Sequence, residues 1–491
     1  MRTALLIAAA IAALALPARG SPPKTPEEWR SAAAEDLTAI HDILRDNSPA
    51  MVVERDSGPF RRWLDTGLRQ ARADLPKVTD GRGYYYLVES YVAGFRDSHI
   101  QFRPIADIGL GRLGDWPGFS LEARAGGYEV AYRPADVADA PPLHARLVAC
   151  DGKSTKAFIA ALDRYEGDLD LASNRYDIGI FGPGSDGRDP FVPRANVCIF
   201  RVGGEARRYR LHWRPLDEAH FEQVLEMFGQ RGDKPLGLAP WGEHRWWITV
   251  PSMQSGRDWN GFYDAVKAHL DALRSADAVV IDLRGNGGGD GEFGDRLARL
   301  LWGDALVDAR RPNLGPTVWR ATQLNRDAWA TLVDKMSKDA NEPPDEKAEI
   351  QAILARYDQA LARGDGTFEI GDDARPKRPP SGPDPVRGRV VVLTDYACVS
   401  ACLDLMDEVM AMPNVVQAGT VTSADTIFME LTEVPKLPSG LARFSFGHKA
   451  WIRRPRGSNV PYTPSPRFTW TGAPNDDEGL HTWLGNALAT R

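Results

Sequence analysis

The stretch Ala278-Val279-Val280-Ile281-Asp282-Leu283-Arg284-Gly285-Asn286-Gly287-Gly288-Gly289 decides how this chain folds. Its first half is a near-continuous apolar run, as expected of a strand covered on both faces rather than one with a wet side. Its second half is a turn in which backbone can approach a neighbour closely, because glycine has no Cβ. A phosphate-cradling loop would want G-x-x-x-x-G-K-[ST], or G-x-G-x-x-G in a dinucleotide context. This sequence fits neither, and Asp290 and Glu292 just beyond would repel phosphate. A loop whose N–H groups hold an oxyanion is the better account.

Outward from this stretch the pattern is α/β. Trp246 to Val250 reads as a strand, Trp259 to Leu273 as an amphipathic helix, and Phe293 to Trp302 as another helix. A second cycle begins with Val390-Val391-Val392-Leu393, turns, and continues as a helix from about Ser400 to Met410 and the strand Asn414-Val415-Val416. Such alternation predicts a largely parallel sheet with its site at the carboxyl ends of the strands. Ser400, in Ala397-Cys398-Val399-Ser400-Ala401-Cys402, falls at such an end, at a strand–helix junction. There its hydroxyl is a candidate nucleophile, with the N–H of Ala401 aimed at a developing oxyanion. The plainer alternative is an ordinary helix N-cap.

Upstream, Thr25, Pro26 and Glu28 make a capping box for a helix with Trp29, Ala33, Leu37, Ile40 and Leu44 on one face. Helical pattern continues to Gly94 and ends in Phe95-Arg96-Asp97-Ser98-His99. Short alternating strands follow, at Gly118–Leu121, Tyr128–Val130, Arg146–Val148 and Arg208–Leu211, with turns at Asp151-Gly152 and Gly203-Gly204. Between the two α/β cycles lies an insertion, about 304–387, expected to form a lid or an interface element.

Arg2, the apolar run Ala4 to Leu16 and Ala18-Arg19-Gly20 have the layout of a secretory signal peptide over residues 1–20. That run is too short to span a bilayer. The expected location is therefore periplasmic or secreted. A net charge of −7 with no basic cluster argues against a nucleic-acid partner. The four cysteines suit either two disulfides, Cys150–Cys198 and Cys398–Cys402, or four buried thiols. Their spacing is wrong for zinc. No metal or organic cofactor is expected.

Asp282-Leu283-Arg284-Gly285-Asn286-Gly287-Gly288-Gly289 resembles the D-L-R-x-N-x-G-G motif of the tail-specific, or C-terminal processing, protease family. Val399-Ser400-Ala401 resembles its nucleophile segment, and Gly419-Thr420-Val421-Thr422 its G-x-x-T. Leu437-Pro438-Ser439-Gly440 resembles its L-P-x-G turn, and Phe95 to His99 its l-x-D-x-H-t. The resemblance implies a helical N-terminal domain (21–112), a PDZ-like module (113–217) and a ClpP/crotonase-like catalytic core of mixed sheet and helices (218–491). It implies a serine peptidase acting on peptides or unfolded proteins, with Ser400 as nucleophile and Gly287 or Gly288 with Ala401 as the oxyanion hole. In the branch with a Ser–Lys dyad the lysine position corresponds here to Asp425, and Lys436 and Lys449 are poorly placed. The histidine-using, tricorn-core-like branch is the closer match. It implies His99 as general base, with His448 in reserve.

That branch expects a glutamate where Arg456-Gly457-Ser458-Asn459-Val460-Pro461 has none. Asp425, Glu430, Ser458 or Asn459 are the candidates for a third member. Cysteine catalysis by Cys398 or Cys402 is disfavoured, since neither stands at the serine position. The alternative function is a family member that binds a peptide or an apolar ligand without turning it over.

Overall fold

The computed structural model describes residues 22–110, 114–124, 127–166, 168, 171–175, 188–227, 234–338, 344–371 and 383–489. The expected signal peptide lies outside the described residues. Among them, no helix is long and apolar enough to cross a membrane.

The opening stretch forms the centre of a five-stranded sheet in the order Gly237–Pro240, Arg245–Thr249, Ala278–Asp282, Arg389–Thr394, Val415–Gly419. The first pair is antiparallel and the rest parallel. All five residues of Ala278–Asp282 are buried. The side-chain period of two explains why the run is apolar throughout. Val279, Ile281, Val390 and Val392 enter one core with the helices Trp259–Ala268, Gly291–Trp302 and Ala401–Val409. Val280, Val391 and Leu393 enter another with Phe468, Leu480 and Leu484, the last two on the helix Asp477–Ala489.

A second sheet is antiparallel, in the order Gln101–Pro104, Ala442–Ala450, Thr317–Arg320, Thr367–Ile370, with Phe428–Val434 also paired to Ala442–Ala450. The helices Pro26–Asn47, Gly58–Asp74 and Gly81–Ala93 share one apolar core with it. Thr25 and Glu28 close the expected capping box. Asp36, fully buried, accepts bonds from Tyr84 Oη at 2.6 Å and Ser439 N at 2.9 Å, which ties the first helix to the Leu437–Gly440 turn. The N-terminal helices are thus built onto the second sheet.

The insertion is joined to the rest of the fold through the second sheet. Its strands Thr317–Arg320 and Thr367–Ile370 complete the second sheet, and Trp319, Trp329, Tyr357 and Phe368 form its own aromatic core. Short strands of this kind pair with partners far away in sequence, so local pattern does not reveal them.

The β-rich region forms a six-stranded sheet including Ser120–Arg124, Gly127–Tyr132, Arg146–Cys150, Val197–Val202 and Glu205–Arg210, with its own apolar core. Cys150 and Cys198 face one another across two of these strands and are disulfide-bonded. Cys398 and Cys402 form the second disulfide.

Candidate active site

The glycine loop is held from every side. Arg284 grips Asp282 through two contacts, at 2.8 and 2.6 Å, and reaches Asp477 at 3.0 Å. Asp282 and Arg284 therefore shape the loop. Asn286, fully buried, donates to Val250 O at 2.8 Å and accepts the Gly288 N–H at 2.9 Å. Asp395 spans the two loops by accepting Gly285 N–H at 2.9 Å and Ala397 N–H at 3.0 Å.

This clamping brings the loop against the expected nucleophile. A Cβ on Gly288, whose φ is +89°, would stand 2.8 Å from Val399 O and 2.9 Å from Ser400 Cβ. Only glycine permits that approach. The Gly288 N–H is spent on Asn286, whereas neither the Gly287 N–H nor the Ala401 N–H donates to another described residue. Of the two glycines, Gly287 is the one with an amide to offer.

Ser400 takes φ 57° and ψ −127°, a conformation that a residue with a Cβ adopts at a cost of about 1–3 kcal/mol. It stands at the N-cap of the helix Ala401–Val409, yet its side chain makes no capping bond. The hydroxyl is therefore not spent as an ordinary N-cap. Cys398 and Cys402 are tied to each other, so neither is a thiolate.

His99 follows the helix Gly81–Ala93 and is 8% exposed. Its N–H donates to Asp97 Oδ1 at 2.9 Å, and its ring Nδ1 stands 3.5 Å from the same oxygen, within ion-pair range but longer than a well-formed hydrogen bond. Thr426 Oγ1 donates to Asp97 Oδ2 at 2.9 Å. Burial works against the charged ring, but contact with Asp97 and the fields of Asp97, Asp425 and Asp404 outweigh it and raise the pKa. Asp404 donates its backbone N–H to Ser400 O at 3.1 Å, so the carboxyl that His99 feels lies one helical turn beyond Ser400. Burial, with Asp425 adding to it, pushes that carboxyl up to about 7.

Asp425 is fully buried, with Oδ1 facing Arg454 at 2.9 Å and Arg456 at 2.6 Å, while Oδ2 has no hydrogen-bond partner among the described residues. Arg456 also pairs with Asp407 at 3.0 Å, and Tyr462 donates to Asp407 at 2.6 Å. Arg456, in the segment where the resemblance expects a glutamate, bridges Asp407 and Asp425.

The other candidates have different employment. Glu430 pairs with Lys449 at 2.9 Å, and this ion pair lowers its pKa. Ser458 Oγ accepts the Ile427 N–H, and Asn459 donates to Arg96 O at 2.8 Å. His448 is packed against Trp319, Trp329 and Tyr357 and contacts Thr432 Oγ1, with burial depressing its pKa to about 4. It is a core histidine. Sequence reasoning missed Asp97 as the carboxylate against His99, although the D-x-H spacing was the available signal. Asp404, Asp395 and the two arginines carried none. Among the described residues, no group of three or more metal-ligating side chains could hold an ion.

The sequence profile of Peptidase family S41 matches residues 247–443, which contain the glycine loop and Ser400 but not His99. No curated protein matches the chain. Among solved structures, mature CPAF is 13% identical, with 94% of this chain and 96% of that one covered at a TM-score of 0.61. CPAF complexed with lactacystin gives 12%, 94%, 97% and 0.61. At such identity the likeness is one of fold. The photosystem II D1 C-terminal processing protease, at 16% identity with 93% and 97% covered, has a TM-score of 0.34, too low to bear on the comparison. Residues 247–443, which carry the glycine loop and Ser400, are similar to Peptidase family S41, and by that match the chain is a serine peptidase.

Proposed function

We propose that this protein is an exported endopeptidase or tail-specific peptidase of the histidine-using branch, working through an acyl-enzyme on Ser400. His99 Nε2 takes the Ser400 hydroxyl proton as Oγ bonds to the scissile carbonyl carbon. The N–H groups of Gly287 and Ala401 hold the resulting oxyanion, and Gly288 provides the close approach. The intermediate collapses as His99 returns the proton to the leaving amine. Water, deprotonated in turn by His99, then cleaves the ester and frees Ser400. Asp97 orients the ring and stabilises the imidazolium; Asp425, held by Arg454 and Arg456, adds to the field without touching it.

The observation that carries this reading is the uncapped hydroxyl of Ser400 in a strained turn pressed against the glycine loop. The two disulfides suit an oxidising compartment, which supports export. The β-rich sheet at 120–210 is proposed as a PDZ-like module that receives an extended peptide by strand addition. The missing glutamate and lysine favour a second reading, a binding protein without turnover. Hydrolysis of fluorogenic peptides by wild type, His99→Ala and Ser400→Ala decides between them. Loss of at least about a hundredfold in each variant is expected. Full activity in His99→Ala would remove His99 as base, and no turnover by wild type would favour the second reading.

A further inference from the structure

We infer that the disulfide Cys398–Cys402 is a positioning device for the nucleophile, holding Ser400 in its strained conformation rather than stabilising the fold at large. The inference rests on the reading of Ser400 as nucleophile.

Ser400 is the middle residue of the five that this bond encloses. Closing so short a loop removes little freedom from the unfolded chain, so the bond is poorly placed for general stabilisation. The Cys150–Cys198 bond, with a separation of 48 residues, is far better placed for that. The other restraints on the turn are non-covalent: Asp395 accepts Ala397 N–H at 3.0 Å, and Cys402 N–H donates to Val399 O at 3.2 Å. Val399 N–H reaches Asn286 O at 3.4 Å, and Cys398 N–H reaches Asp395 O at 3.2 Å. Beyond Ser400 the chain is already helical, with Leu403 N–H donating to Ser400 O at 2.7 Å. An unclamped Ser400 would relieve its positive φ by joining the helix, which moves its Cβ from the place it holds beside Gly288. The strained state costs the free energy given above for such conformations, so its population, and with it the rate, would fall by about 5- to 150-fold. Both sulfurs are fully buried behind the turn, in the core shared by the central sheet and the helix Ala401–Val409.

The test compares the double variants Cys398→Ala/Cys402→Ala and Cys398→Ser/Cys402→Ser with Cys150→Ala/Cys198→Ala as control. Peptide hydrolysis is measured well below each melting temperature. The 398/402 variants are expected to lose about 5- to 150-fold in kcat with KM within about twofold, and fluorophosphonate labelling should slow by the same factor. The control should keep its kcat while losing melting temperature. A wild-type kcat in either folded 398/402 variant overturns the inference. Should neither fold, wild type is partly reduced with dithiothreitol. Two thiol–disulfide exchanges then leave two cysteine thiols and one cyclic reagent disulfide, and each bond is counted by alkylation and mass spectrometry. Activity should track the intact Cys398–Cys402 fraction; activity independent of it overturns the inference. If Ser400→Ala still labels with fluorophosphonate, the underlying reading has failed. If only the cysteine variants behave as wild type, this inference alone has.

Discussion

Replacing Asp97 by Asn keeps the size of the side chain and removes its charge from beside His99. Unit charges 3.5 Å apart attract by about 4.7 kcal/mol at an effective dielectric of about 20. Part of that charge is already shared with the His99 N–H and the Thr426 hydroxyl, so roughly half is a reasonable floor. The imidazolium of the proposed mechanism would lose between about 2.4 and 4.7 kcal/mol of stabilisation in the transition state, a fall in kcat of about 50- to 3000-fold. The pH profile should move as well. In wild type the carboxylates raise the pKa of His99 against the effect of burial, so with His99 as the proposed base kcat/KM is expected to fall on the acid side from a point above the ordinary 6.5. Without Asp97 burial weighs more, the ring is less basic, and the acid limb shifts to lower pH. The assay is kcat/KM for a fluorogenic peptide across the pH range, with folding checked by circular dichroism. An Asp97→Asn variant within threefold of wild type, with its acid limb unmoved, would refute the role given to Asp97.

Gly287→Ala should keep activity within a few-fold, since a Cβ there meets nothing within 4 Å and the N–H remains. Gly288→Ala should lose at least about a hundredfold in kcat, because its Cβ would displace the Ser400 turn. Peptide hydrolysis by the two variants checks the contrast. Arg456→Met leaves Asp407 and Asp425 less compensated in a buried setting and should cost about 3–5 kcal/mol, read from the urea midpoint. Asp36→Ala strands the buried donors of Tyr84 and Ser439 and should cost about 2–4 kcal/mol by the same measurement, with no change in KM.

The central sheet was legible because Ala278–Asp282 is buried on both faces, which forces an apolar run. The glycine motif was legible because close approach to Ser400 admits no side chain at Gly288. The capping box announced the first helix through three neighbouring residues. Long-range arrangements were not legible. Thr317–Arg320 and Thr367–Ile370 are four-residue strands whose stability comes from partners elsewhere in the second sheet. The cysteine spacing suited bonds or thiols equally until Cys150 and Cys198 were seen opposite each other across paired strands. Asp97 stands within the D-x-H motif, but nothing local distinguishes a carboxylate that turns toward a histidine two residues on from one that only closes a turn. The pairing of Asp425 with Arg454 and Arg456 depends on how the chain folds over some thirty residues. Charge patterning along the sequence does not reveal such a pairing.

The most direct test of the account is covalent labelling of the whole protein with a fluorophosphonate, followed by peptide mapping. One phosphonyl adduct is expected on wild type, on the peptide containing Ser400, and none on Ser400→Ala. An adduct on another residue, equal labelling of the two proteins, or labelling of neither would contradict the claim that Ser400 is the nucleophile.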